Sequence, residues 1–153
     1  PGYSVFPHYH TTYTEILKVL DGAGLGHVGG QKLHLKPGEE IVVAPRVVHG
    51  WEPITSGHFK GLLELRPAHK GFEKWIVMLH NMAADGLTKP DLQPNSMVHG
   101  ALFLVASGTH LAGPARVLNP VFKLVAWWAR KAGVDRRLEK KYYHTRAADA
   151  AAT

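Results

Sequence analysis

The chain has no cysteine among its 153 residues. That excludes disulfide cross-links, thiolate metal ligands and thiol nucleophiles. It has no uninterrupted run of about 18 apolar residues, which a membrane-spanning helix needs. Its apolar stretches, such as Ala101 to Ala106, are far shorter. No basic leader followed by an apolar segment opens it, so no secretory signal is read. These absences together point to a cytoplasmic protein. There is no internal repeat.

Acidic residues are scarce in one place. The net charge is +6, and residues 115–153 carry nine Lys/Arg against three Asp/Glu, while residues 1–114 balance at nine each. Such an excess can serve an anionic partner: nucleic acid, acidic lipid or acidic protein. No nucleic-acid motif and no strand of interleaved aromatic and basic residues accompanies it. The expectation is therefore a solvated helix face with a frayed tail, no nucleic-acid partner and no membrane span.

What is present fits one compact domain of ordinary apolar content, 45%. Residues 1–66 read as β. Glu15 to Leu20 alternates, with Glu15, Leu17 and Val19 on one face and Lys18 on the other, and ends at Asp21-Gly22. Gly24 to Leu35 reads as a hairpin turning at Gly29-Gly30, and Lys36-Pro37-Gly38-Glu39 as a second turn. Ile41 to Val43, Val47 to Trp51 and His58 to Arg66 follow as strands. Short strands at close spacing suggest a sandwich or barrel.

Residues 67–153 read as α. From Gly71 to Ala84, Phe72, Trp75, Ile76, Leu79, Met82 and Ala83 recur at helical spacing, and Gly86 suits the position after the helix. Ser96 to Ser107 reads as a short buried helix. Asn119-Pro120 reads as an N-cap followed by a first-turn proline. That helix runs to Ala132, with Val121, Phe122, Val125 and Trp128 as one stripe widened by Leu124 and Trp127. A last basic turn or helix spans Arg136 to Tyr143, and 147–153 reads as a disordered tail.

Chemistry concentrates near the N-terminus. His8 and His10, two apart in a strand, point to one face. Glu15 follows closely, and His49 later. Imidazole with carboxylate suits one divalent transition metal: Fe, Mn, Ni, Cu or Zn. Tyr9 has the opposite parity and should point away. Tyr13 could donate a hydrogen bond to the carboxylate, although a surface place is expected. Arg46, on the turn before His49, is expected to be exposed.

The spacing resembles that of a known superfamily. His8-x-His10-Thr-Thr-Tyr-Thr-Glu15-x6-Gly22, with Gly2 six residues ahead of His8, is similar to the first cupin motif, G-x5-H-x-H-x3,4-E-x6-G. Gly38-x5-Ala44-Pro45-Arg46-Val47-Val48-His49 is similar to the second, G-x5-P-x-G-x2-H-x3-N. It departs from that pattern at Ala44, at Arg46 where the glycine is usual, and at Pro53 where the asparagine is usual.

The resemblance implies a mainly β fold, a cupin jelly-roll barrel with a helical C-terminal extension. The barrel core would be 1–66, and 67–146 would pack on it or on a partner subunit. His8, His10, Glu15 and His49 would be the metal ligands, with one or two coordination positions open. By strand parity Phe6, Leu17, Trp51 and Leu63 would line a pocket for a small, partly hydrophobic molecule. No separate catalytic acid or base is singled out.

In the family, strands usually precede the first motif, which here begins almost at once. A truncated chain, a processed product and a cupin without those strands are all open readings. An unpaired sheet edge and the apolar faces at Phe72–Met82 and Val121–Trp128 lead to the expectation of a homodimer. Two function classes remain: a metalloenzyme of oxygenase, decarboxylase, isomerase or cyclase type, and a non-catalytic small-ligand-binding or sensing module.

Overall fold

Nine residues, Thr14–Gly22, form the longest strand because their apolar positions alternate and a positive-φ glycine, Gly22, ends them. This strand, β2, follows β1 (Val5–His10) in a computed structural model that describes residues 5–53 and 59–144. Gly2, His58 and the expected tail 147–153 lie outside the described residues.

Next come β3 (Gly24–Val28), β4 (Gln31–Leu35), β5 (Glu40–Val43), β6 (His49–Pro53) and β7 (Phe59–Arg66). The β3–β4 turn needs positive φ at both central positions, 58° and 86°, which Gly29 and Gly30 supply without strain. After β7 come α1 (Lys70–Ala84), α2 (Met97–Ser107), β8 (Thr109–Leu111), a 3₁₀ segment (Gly113–Leu118), α3 (Asn119–Lys131), α4 (Val134–Glu139) and a π turn (Lys140–His144).

The chain forms two compact units. The first is Pro1–His69 with Gly108–Arg116; the second is Lys70–Ser107 with Val117–Thr153. The first holds two antiparallel sheets, ordered β4-β3-β6-β1-β8 and β5-β2-β7. Leu17, Val19 and Val43 from the smaller sheet meet Leu35 and Trp51 from the larger in one buried cluster. The sheets thus face each other as a jelly-roll sandwich, and the helices follow in the second unit.

Strand β8 has no signal in the sequence. Thr109-His110-Leu111 is too short to show a period, yet it pairs with β1, His10 opposite Thr109 and His8 opposite Leu111. It covers the outer edge of β1. Strand β7 pairs with β2, and Leu62 and Leu63 on it remain exposed.

In the second unit Trp75, Met78, Leu79 and Met82 of α1 are buried against Ala101 and Leu102 of α2, Ala126 and Ala129 of α3, and Leu138. The α1 stripe expected to meet a partner is therefore covered by helices of its own unit. Helix α3 corrects the sequence reading twice. Asn119 is inside the helix rather than its cap, because the 3₁₀ segment leads straight into it and Leu118 takes the cap position. Its buried centre is also not the Val121/Trp128 stripe. Ala126 and Ala129 face inward with Phe122 and Val125 beside them, since small side chains let helix backbones approach closely.

Candidate metal centre

Strand β1 carries His8 and His10 two residues apart, and both are buried. Strand β6 brings His49 directly opposite His8. Glu15 enters from the other sheet, at the start of β2, and is 3% exposed. One ligand atom from each of His8, His10, Glu15 and His49 lies within 4.8 Å of all the others. The rings of His8 and His49 are 4.2 Å apart between centroids, and those of His10 and His49 are 4.8 Å apart.

Backbone carbonyls fix the direction of all three imidazoles. Nδ1 of His8 donates to Phe6 O at 2.9 Å, that of His10 to Tyr13 O at 3.0 Å, and that of His49 to Val47 O at 3.0 Å. A carbonyl only accepts, so in the neutral ring the proton is on Nδ1 and the Nε2 lone pair is free. Two of these lone pairs face the carboxylate. His10 Nε2 is 3.3 Å from Glu15 Oε2, and His49 Nε2 is 3.5 Å from Oε1. Both nitrogens are buried and have no hydrogen-bond partner. Buried lone pairs aimed at a carboxylate are unfavourable without a cation between them. The donor set therefore fits a metal ion: the four residues could hold one through three nitrogens and a carboxylate oxygen.

The electrostatics prepare the same set. Burial, reinforced by the nearby His49, lowers the His8 pKa from 6.5 to about 4, so its ring is neutral near pH 7. Burial alone would raise the Glu15 carboxyl. The neighbouring imidazoles of His10, His49 and His8 outweigh that and hold it well below the usual carboxylate range. Trp51 Nε1 donates to Glu15 Oε1 at 3.0 Å.

Two features of the surroundings escape sequence reasoning. Tyr13 is not at the surface: it is 1% exposed and its ring stacks on His10 at 4.1 Å. Burial raises its hydroxyl pKa, against a hydrogen bond with Thr109 of β8. The chain bends just before Tyr13, which breaks the strand parity that would have placed it. Arg46 is exposed, as expected, but has φ 71°, the left-handed conformation the family's glycine would take freely. The turn is kept: Arg46 N donates to His10 O at 2.6 Å.

The four residues read as pocket walls have different places. Leu17 and Trp51 lie in the buried cluster between the sheets. Leu63 pairs with Leu17 and is 39% exposed. Phe6 stands in a bulge of β1, where three steps from Val5 to His8 match two from Trp51 to His49. Val5 thereby packs against the core, while the half-buried Phe6 keeps its ring 5.7 Å from that of His8. Tyr9 stacks on His110 rather than joining the four.

Residues 1–62 match the family described as Cupin domain. No curated protein matches the chain. Among solved structures, KdgF from Halomonas sp. is 26% identical, with a TM-score of 0.38 over 42% of this chain and 56% of its own. A predicted oxalate decarboxylase from Thermotoga maritima is 28% identical, with a TM-score of 0.41 over 42% of this chain and 56% of its own. An uncharacterised protein with a double-stranded β-helix domain from Klebsiella pneumoniae is 27% identical, with a TM-score of 0.39 over 42% and 54%. The chain thus spans little more than half the length of each. The family match covers the strands that carry His8, His10, Glu15 and His49, and residues 1–62 form a cupin domain.

Proposed function

We propose that the cupin domain holds one divalent transition metal through His8, His10, Glu15 and His49 and acts as a metalloenzyme on a small organic molecule. The observation that carries this reading is the pair of buried, partnerless Nε2 atoms of His10 and His49 directed at Glu15. A bound metal would supply Lewis acidity and a template for substrate.

The rest falls to the chain itself. The carbonyls of Phe6, Tyr13 and Val47 keep the three rings aimed inward. Trp51 holds one carboxylate oxygen of Glu15. The cluster of Leu17, Val19, Leu35 and Val43 keeps the neighbouring space dry, which strengthens charge interactions there. Phe6, Leu17, Trp51 and Leu63 are the proposed apolar contacts for substrate, with Phe6 beside the His8 ring and Trp51 beside that of His49, each at 5.7 Å.

The test is elemental analysis of protein purified without chelator. Close to one equivalent of a transition metal is expected, falling to near none in the His10→Ala/His49→Ala double variant. Unchanged metal content in that variant would remove the site. Turnover screening of the loaded protein, O₂ uptake included, then separates an enzyme from a module that binds ligand without converting it.

A further inference from the structure

Helix α3 turns its small residues inward and its large ones outward. Ala126 and Ala129 are buried, at 0% and 6% exposure. Trp127 and Trp128 are 49% and 61% exposed, and Val121 and Leu124 are 49% and 58%. At 100° per residue Val121, Leu124 and Trp128 share one narrow arc, and Trp127 lies beside it. The two indoles meet edge to face at 4.7 Å. Exposed apolar residues are ordinary when scattered, but a contiguous apolar arc with two tryptophans marks a contact surface.

The charges beside this arc have one sign. Lys123 and Arg130 border it on the Trp127 side and Lys131 closes its C-terminal end, all exposed, with Lys131 Nζ 5.8 Å above the Trp127 ring. No acidic residue occurs between Asp91 and Asp135. A two-fold pairing of this helix with a second copy would set cations against cations. An anionic surface would complement them. Tryptophan belongs where an apolar body meets a wet edge, and lysine stems can lie along apolar surface with the ammonium in water. The helix has 13 residues, and no helix among the described residues is long and apolar enough to cross a membrane.

We propose that α3 docks in the plane of an anionic lipid bilayer. Val121, Leu124, Trp127 and Trp128 would enter the headgroup boundary, and Lys123, Arg130 and Lys131 would meet acidic headgroups. This assigns the C-terminal basic excess a partner that the metal centre does not use.

The full chain, as purified, is floated with vesicles of equal phosphatidylcholine and phosphatidylglycerol, and with vesicles of phosphatidylcholine alone. Flotation with the anionic vesicles only, reversed by high salt, is expected. Trp127→Ser/Trp128→Ser and Lys123→Gln/Lys131→Gln should each weaken it roughly tenfold or more. Metal content and circular dichroism should stay as in wild type, since all four side chains are exposed. Brominated lipid in the anionic vesicles should quench wild-type fluorescence, because Trp51 and Trp75 are buried. This keeps the proposal testable if a variant misfolds. Absence of flotation and quenching overturns the proposal. So does flotation that survives loss of both tryptophans. If the tryptophan variant instead turns a dimer into a monomer and wild type ignores vesicles, the face is a self-interface and the lipid proposal fails.

Discussion

The indole N–H of Trp51 donates to Glu15 Oε1 across 3.0 Å, so the one carboxylate of the candidate centre is oriented by the sheet that faces its own. Hydrogen bonds to a metal ligand's outer atoms fix its orientation and are typically worth ten- to a hundredfold in affinity. Trp51→Phe keeps an aromatic ring and loses this donor. It should weaken metal binding by roughly ten- to a hundredfold, read by competition with a chromogenic chelator. Melting of the chelator-stripped variant separates this from lost packing. Equal metal affinity with a lower melting point would make Trp51 a core residue only. Gly26→Ala offers a second approach, since a Cβ there would lie 2.8 Å from Trp51 Cζ3 and press on the indole.

Arg46 in a left-handed conformation gives the second prediction. A non-glycine residue costs about 1–2 kcal/mol there, and a β-branched one more. Glycine removes that cost but gains freedom in the unfolded chain, worth about 0.4–1 kcal/mol. Arg46→Gly should therefore leave stability unchanged or raise it by up to about 1 kcal/mol, and Arg46→Val should lower it by about 1–2 kcal/mol. Urea midpoints check both. A clear loss in Arg46→Gly would mean the arginine side chain contributes contacts that outweigh its backbone strain.

Strand parity made much of this legible. His8 with His10, and His49 with Trp51, each sit two apart in unbroken strand, so period 2 places each pair on one face. The glycine turns at Gly29-Gly30 and Gly38 carry their own signal. Parity fails where the strand is interrupted, at the bend that buries Tyr13. Non-local pairing leaves no local trace, so β8 and its Thr109 were silent. On α3 both faces carry apolar residues, and composition does not say which is buried. Packing chose the alanines because they allow the closer approach.

Acid should destabilise the metal-free protein in a defined window. The His8 ring takes up its proton near 6.5 when exposed and near 4 when folded. Below 6.5 the unfolded chain therefore binds more protons, and stability present above that pH is lost as pH falls toward 4. This shift sets a ceiling of about 3 kcal/mol on the loss. The depressed Glu15 carboxyl adds a further loss at still lower pH. Urea midpoints of chelator-treated protein at pH 7, 5.5 and 4 should fall in that order. A flat series would show that His8 is not held neutral by burial.

Assembly through β7 is the last expectation. On the far side from β2 this strand has no pairing partner among the described residues, and Leu62 and Leu63, which point to opposite faces, are 53% and 39% exposed. Unpaired apolar edges invite strand addition. The α1 stripe is covered within its own unit and the exposed charges of α3 are all positive, so the β7 edge is the surface proposed for a second copy. An antiparallel pairing centred on Leu62 would set Lys60 of one copy against Glu64 of the other, which is favourable across strands. Light scattering at tens of micromolar should give twice the 16.8 kDa chain mass. Leu62→Lys places two like charges opposite each other at the two-fold axis and should return the protein to a monomer with its metal content intact. A monomeric wild type, or a dimer that tolerates Leu62→Lys, would rule out this interface.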